Sequence, residues 1–316
     1  MKILLFGKNG QVGWELQRSL APLGHVIALD RDGLTPQQAA QLPAWQGLPP
    51  LEHPLCGDLT DLAGLARTVH AVRPQVVVNA AAYTAVDRAE TEPELARRIN
   101  ADAPGMLAQA AHEVGAWLVH YSTDYVFNGS GHTPWQEGDA TGPLNVYGQT
   151  KLEGEQRILQ AGRQHLIFRT SWVYGARGGN FAKTMLRLAR ERERLTVVDD
   201  QFGAPTGAEL IADVTAHAIR HVWQTGQGQG TYHLAASGET TWHGYALFVI
   251  QQARRLQPDA AWQVQSIDPV PTSAFPTPAR RPHNSRLSTA LLQATFGLHL
   301  PAWQQGVGRL LTALLD

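Results

Sequence analysis

The chain opens with a strand, a glycine turn and a helix that follow one another without a gap. Lys2-Ile3-Leu4-Leu5-Phe6 has the short apolar run of a buried strand, and it passes directly into Gly7-Lys8-Asn9-Gly10-Gln11-Val12-Gly13 and a helical segment through Leu20. This stretch constrains the fold more than any other, because each glycine answers a steric demand. Gly7 permits the tight turn, Gly10 lets the backbone approach a diphosphate, and Gly13 lets the helix pack closely on the strand. A diphosphate held there would rest on the helix amino terminus, where free N–H groups and the helix dipole favour an anion. The expected architecture is α/β: a Rossmann-type doubly wound parallel sheet with a smaller C-terminal substrate lobe.

The following segments keep the alternation. His25 to Asp30 reads as the second strand, with Asp30 placed at its end to bond the ribose hydroxyls of an adenosine. Arg31 follows at once and suits a 2′-phosphate equally well, so NADH and NADPH stay open. Asp58 reads as a helix cap before Leu62 or as a ligand contact. Val76 to Asn79 is a buried strand leaving through Ala80, Ala81, Ala82, Tyr83 and Thr84, small residues for the most part, which let a cofactor pass close by. Further strands are expected at Trp117–Ser122 and Leu166–Thr170. Residues 1–170 are therefore expected to form the dinucleotide-binding domain and 171–316 mainly the substrate lobe, some later segments packing back onto the first. Beyond 170, Asn180 to Arg194 reads as a helix and Thr196–Val198 as a strand. Thr206 reads as the cap of a helix, and the proline-rich Pro269 to Pro282 as loop. The excursion 33–54 is long, with a helical piece near Gln37–Leu42, and borders the adenosine end.

Chemistry enters with Tyr147-Gly148-Gln149-Thr150-Lys151, which follows Ser122-Thr123-Asp124-Tyr125-Val126-Phe127 after a turn-rich loop. A helix over 145–160 puts Tyr147 and Lys151 on one face, one turn apart. A neighbouring ammonium favours phenolate, which makes the phenol a better proton donor to a developing alkoxide. Such a pair suits ketone reduction. The spacing is common on solvated helices, so its weight comes from context: Thr123 emerges at the carboxyl end of a strand, where open parallel sheets place their ligands. His120, in an apolar strand, reads as a core residue.

Composition narrows the class further. With 26 basic and 27 acidic residues the formal charge is −1, which favours neither nucleic acid nor an anionic membrane as partner. Cys56 is the single cysteine, which excludes an intrachain disulfide and suits a reducing, cytoplasmic setting. The apolar run at the start is too short for a signal peptide, and no stretch approaches a membrane span.

Eight stretches in order bring a family into view: GKNGQVGWELQRSL, NAAAYTAVDRAE, HYSTDYVFNG, PLNVYGQTKLEGE, FRTSWVYG, NFAKTMLRLA, DDQFGAPTGAEL and PTPARRPHNSRL. Over nearly its full length the chain resembles the dTDP-4-dehydrorhamnose reductase family of the extended short-chain dehydrogenase/reductases. The resemblance implies reduction of the C4 ketone of dTDP-4-dehydro-6-deoxy-L-mannose by NADH or NADPH, in dTDP-L-rhamnose and cell-surface polysaccharide synthesis. It implies Tyr147 as proton donor, Lys151 on the nicotinamide ribose and Thr123 on the substrate carbonyl. Gly7, Gly10, Gln11, Val12, Gly13, Asp30, Arg31, Asp58, Leu59, Ala81, Ala82, Tyr83 and Thr84 would hold the cofactor. Asp124, Tyr125 and Trp172 would contact the hexose, with a capped turn or lobe packing as their other readings. Arg281, beside Arg280, Asn284 and Ser285, would hold the nucleotide diphosphate or stand as a solvated loop charge. The family's magnesium-bridged homodimer maps onto Glu15, Glu209 and Asp213, otherwise ordinary surface acids. Related scaffolds serve a 6-deoxy-L-talose-forming reductase, an epimerase and a noncatalytic nucleotide-binding subunit. The intact Thr123, Tyr147 and Lys151 set favours the reductase.

Overall fold

The computed structural model describes residues 1–46 and 50–316 of the chain. Its first half alternates as the sequence predicts: β1 (Lys2–Phe6), α1 (Gln11–Leu20), β2 (His25–Leu29), α2 (Pro36–Ala40), α3 (Leu62–Val72) and β3 (Val76–Asn79). Then come α4 (Val86–Ala89), α5 (Pro93–Arg97), a π-helical turn (Arg98–Asp102), α6 (Ala103–Glu113), β4 (Trp117–Thr123), α7 (Val146–Ala161) and β5 (His165–Thr170). Beyond β5 the elements shorten to β6 (Val173–Tyr174), α8 (Phe181–Glu191), β7 (Arg194–Val198), β8 (Phe202–Gly203) and β9 (Thr206–Gly207). The chain ends through α9 (Ala208–Thr225), β10 (Gly230–His233), β11 (Thr240–Thr241), α10 (Trp242–Leu256), β12 (Ser266–Val270), α11 (Ala290–Phe296) and α12 (Trp303–Leu315).

Six strands form one parallel sheet in the order β10-β5-β4-β3-β1-β2. The winding reverses between β1 and β3, which opens a crevice at their carboxyl ends, the place where ligands of such sheets bind. Alternation along the strands sorts side chains to two faces. Ile3, Leu5, Val76, Val78, Val119 and Phe168 pack under Leu16 and Leu20 of α1 and Ile211 and Ile219 of α9. Leu4, Phe6, Val77, Leu118 and Ile167 pack under Leu65 of α3, Leu107 of α6 and Ile158 of α7. α9 and β10 thus return from the second half to complete the first. A separate apolar cluster, including Met185, Tyr245, Val249, Trp303 and Val307, gathers α8, α10 and α12.

Two expectations are corrected. Thr206 does not cap α9; Gly207 occupies the cap position without a side-chain bond, and the Thr206 hydroxyl instead donates to the Ala204 carbonyl at 3.0 Å. Pro269 lies within β12, which pairs with β7 alone, an edge position where a missing N–H is tolerated. In the 33–54 excursion a helix forms at Pro36–Ala40, capped by Thr35, and Trp45 is buried in the sheet's second core.

The α1 turn is locked by contact. A Cβ on Gly13 would stand 2.0 Å from the Gly7 carbonyl oxygen. Alanine exceeds glycine in helix propensity by about 1 kcal/mol, but overpacking of this kind costs about 1–3 kcal/mol. Gly13→Ala is therefore expected to lower the urea-unfolding free energy; a stability equal to or above the wild type would contradict the packing described.

Candidate active site

The carboxyl ends of β1 to β5 open into one cleft of about 1130 Å³. Gly7, Gly10, Gln11, Val12, Asp30, Arg31, Asp58, Leu59, Ala81, Ala82, Tyr83 and Thr84 all line it, while Gly13 sits behind the turn. Gly7 has φ +85°, and a Cβ there would come within 2.7 Å of the Ala81 nitrogen, so the β1 turn is pressed against the exit of β3. Gly10 differs: a Cβ would meet just the Gly7 oxygen, at 3.4 Å, leaving the other side free toward the cleft. The hydroxyls of Ser122, Thr170 and Ser171 are buried without a protein partner, and all three residues line the same cleft. Buried polar groups are ordinarily paired. An open glycine turn and orphaned hydroxyls fit a dinucleotide and a sugar as occupants.

At the adenosine end the charges are already engaged. Asp30 accepts from Lys8 and Asn9, each at 3.1 Å. Partial burial opposes ionisation, yet these donors hold its carboxyl below the usual range. Arg31 bonds Asp58 at 3.2 Å, and Asp58 also accepts from the Thr60 amide and hydroxyl, both at 2.8 Å. Asp61, and not Asp58, caps α3 through the Gly64 amide.

The catalytic candidates meet where α7 lies on β4. Asn145 caps α7 by accepting from the Gly148 amide at 2.8 Å, and the next turn carries Tyr147 into the cleft. Tyr147 is hydrogen-bonded to Thr123 and packs edge-on to Tyr125, ring centroids 5.5 Å apart. Thr123, the last residue of β4, donates to Asp124 at 3.1 Å. Lys151 is 2 % exposed; its Nζ donates to the Tyr121 carbonyl at 2.5 Å and lies 3.2 Å from His120 Nε2. Burial lowers the lysine to about 8, with Glu155 acting in the opposite sense. The expected Lys151-driven fall of the Tyr147 pKa is not found. Burial raises the phenol instead, because the ammonium is directed at β4 and not at the phenol oxygen. Burial likewise raises Asp124 to about 6 and Tyr125 to about 12.

Across the cleft stands a wall that the sequence reveals in part. Trp172 adopts φ +49°, a conformation that costs a residue with a Cβ of order 1–3 kcal/mol. It is held by stacking on Trp242 at 3.7 Å, and a Cβ on Gly203 would lie 2.7 Å from the indole. Trp242 lines the cleft too and went unread, having no motif of its own. Asn79, Asn100 and His120 are buried behind the cleft, His120 in the core as expected. Asn100 bonds Tyr83 through both its amide and carbonyl and reaches Thr150 of α7. Arg281 is drawn to Asp87 at 2.7 Å, outside the lining, while Arg280 is exposed. Asn284 is buried on the carbonyls of Ser130 and Thr133, and Ser285 supports Asp124.

The three acids expected at a metal are paired with cations. Glu15 and Asp213 both contact Arg18, at 3.5 and 3.0 Å, and Glu209 contacts Arg309 at 3.5 Å. Among the described residues no group of three or more His, Cys, Asp or Glu is placed to hold a metal, and no helix is long and apolar enough to cross a membrane.

Sheet order and glycine turn define a Rossmann-type α/β fold with one cleft at the carboxyl ends of its strands. The profile of the family described as RmlD substrate binding domain matches residues 1–315. A dTDP-4-dehydrorhamnose reductase of Shigella flexneri is 57% identical over 314 residues, covering 99% of this chain and 98% of the relative. The crystal structure of a dTDP-4-dehydrorhamnose reductase from Clostridium acetobutylicum matches with TM-score 0.84 and 35% identity, covering 100% of both chains. That of the Bacillus anthracis enzyme in complex with NADP matches with TM-score 0.81 and 33% identity, covering 98% of each. The chain belongs to the dTDP-4-dehydrorhamnose reductase family.

Asp124 yields a prediction with a defined sign. Burial raises its folded-state pKa to about 6 from the ordinary 3.8, so the folded form alone keeps the proton between those values. Its contribution is full below about pH 4 and is lost as pH rises through 6. Asp124→Asn is expected to gain up to about 3 kcal/mol over the wild type on going from pH 4 to pH 7. Urea unfolding at both values checks this; a difference independent of pH would contradict the burial of an ionisable carboxyl.

Proposed function

We propose that this chain reduces the C4 ketone of dTDP-4-dehydro-6-deoxy-L-mannose to dTDP-L-rhamnose, with Tyr147 as proton donor. The observation that carries the reading is the placement of the Tyr147 phenol, buried and bonded to Thr123 inside the cleft, with Lys151 one turn behind it on α7. Gly7, Gly10 and the start of α1 would hold the diphosphate of a reduced nicotinamide dinucleotide, which would supply the hydride.

The chain's own part is to hold the ketone and protonate its oxygen. Tyr147 and Thr123 are bonded to each other in the cleft, and a carbonyl oxygen there would take the Tyr147 O–H and draw the Thr123 O–H away from Asp124. As negative charge develops on that oxygen, the Tyr147 proton passes to it. The high pKa that burial imposes keeps that proton in place until an alkoxide, a stronger base, appears. The phenolate left behind would regain its proton from solvent, with Lys151 one turn behind it on α7.

Asp124 and Tyr125 would orient the hexose hydroxyls and Trp172 its apolar face, while Arg281 would leave Asp87 to meet the diphosphate, a fork suited to phosphate oxygens. Lys8 and Asn9 donate to Asp30 while Arg31 stands on Asp58 beside it, an acid and a base together that support use of either NADH or NADPH. On this reading the site residues would face a small nucleotide sugar, in keeping with a cytoplasmic enzyme acting on a soluble substrate.

Tyr147→Phe removes the proton and little volume. It is expected to reduce kcat by about 10²–10⁴-fold while leaving the NADPH dissociation constant near that of the wild type. Retention of more than a tenth of wild-type turnover would overturn the assignment.

The same reading extends to a homodimer joined through Glu15, Glu209 and Asp213. In a single chain Arg18 and Arg309 already neutralise these acids, so the residues of one copy do not by themselves fit magnesium. An ion shared between two copies requires that EDTA and Glu209→Gln each shift sedimentation toward the monomer. A dimer unchanged by both removes the metal from the reading.

A further inference from the structure

Behind Lys151 lies a buried chain of side chains that reaches from α7 through β4 to β3. Lys151 Nζ is 3.2 Å from His120 Nε2, and His120 Nδ1 is 3.2 Å from Asn79 Nδ2. Lys151, His120 and Asn79 are each 2 % exposed or less. Asn79 Oδ1 accepts the Ala81 backbone N–H at 3.2 Å, which fixes the amide with its NH₂ toward His120.

These contacts impose a donor count. An amide NH₂ only donates, so His120 Nδ1 must accept and the imidazole proton must sit on Nε2. That N–H then points at Lys151. An ammonium has three N–H groups and no lone pair, so it cannot accept; a neutral amine can. The ammonium is accommodated when the His120 proton moves to Nδ1, which in turn requires the Asn79 amide to turn and give up the Ala81 N–H.

We propose that Asn79 and His120 are positioning residues that set the charge of Lys151, favouring the neutral amine as long as the Asn79 amide keeps its bond to Ala81. The inference rests on the reading of Tyr147 and Lys151 given above. It ties the protonation of a buried lysine to the backbone of Ala81, which lines the cleft. A ligand that takes the Ala81 N–H releases the amide and lets Lys151 become charged beside Tyr147.

Other groups that face Lys151 do not supply this control. Glu155, one turn further along α7, is committed to Arg169 of β5 through bonds of 2.7, 3.0 and 3.2 Å. Tyr147 lies one turn before it, Asp124 stands beyond Thr123, and Tyr121 offers its main-chain carbonyl. Asn100, from the π-helical turn, is neutral and bonds Thr150. His120 itself is kept neutral by burial.

The test reads charge and tautomer directly and needs no turnover. The chain has four lysines, Lys2, Lys8, Lys151 and Lys183, so the isotope-labelled Lys151 Cε resonance can be assigned with Lys151→Met and titrated by NMR. His120→Gln, whose amide oxygen accepts from an ammonium, is expected to raise the Lys151 midpoint by roughly one pH unit. In the unliganded wild type the His120 nitrogen resonances should report the Nε2–H tautomer. In the isosteric Asn79→Asp, whose carboxylate accepts from both sides, they should report Nδ1–H. An Nδ1–H tautomer in the wild type overturns the proposal, as does an unchanged Lys151 midpoint in a His120→Gln protein with wild-type Tm. Should His120→Gln not fold, the wild-type and Asn79→Asp tautomers still decide. Failure of Tyr147→Phe to lose activity would sink the functional reading and leave these resonances untouched.

Discussion

One face of α7 pressed into the carboxyl edge of β4 and β5 is the constraint on which the site depends. Two glycines make the approach possible: a Cβ on Gly148 would stand 2.2 Å from the Tyr125 carbonyl oxygen, and one on Gly154 2.2 Å from that of Asn100. Between them the helix buries Lys151, and a charge-bearing group removed from water must find partners or lose its proton. The Tyr121 carbonyl and His120 are those partners. One turn on, the buried Glu155–Arg169 pair fixes the helix to β5 with both carboxylate oxygens engaged. Breaking one member of such a pair leaves an uncompensated charge, so the helix has one seat and cannot slide. Tyr147 inherits its position from that seat.

The glycine turn at β1 plays the same part for the other half of the cleft. Gly7 against Ala81 and Gly13 against Gly7 bring three segments together at the point where the sheet reverses its winding. β3 contributes twice there. Its exit backbone walls the cleft, and Asn79 turns inward to His120. The two halves of the site, cofactor turn and catalytic helix, therefore share β3 and β4 as a common wall, and a change of charge at Lys151 can be felt at Ala81.

Much of this was legible in the sequence, for reasons that are local. β1 and α1 announce themselves by an apolar run and glycine spacing, α7 by the four-residue spacing of Tyr147 and Lys151, and the candidate catalytic residues lie where those elements place them. What was illegible depends on partners distant in the chain. His120 was read as core and is buried, but its contact with Lys151 is made across 31 positions. The Trp172–Trp242 stack joins residues in different elements, and no local pattern signals a tryptophan at positive φ. Asp58 and Asp61 are both plausible caps by composition; Asp58 is taken by Thr60 and Arg31, which leaves Asp61. The expectation for the Tyr147 pKa failed because helix spacing gives proximity to Lys151 but not the direction of its Nζ, which β4 claims.

The central claim is that this cleft delivers a hydride to C4 of a nucleotide-linked 4-hexulose and a proton to its oxygen. Incubation of the purified protein with dTDP-4-dehydro-6-deoxy-L-mannose and NADPH deuterated at the reactive nicotinamide carbon, followed by NMR of the sugar, tests it most directly. The account predicts oxidation of one NADPH per product, with deuterium at C4 of dTDP-L-rhamnose. Conversion of the sugar without net cofactor oxidation, or a product bearing no deuterium at C4, would contradict it.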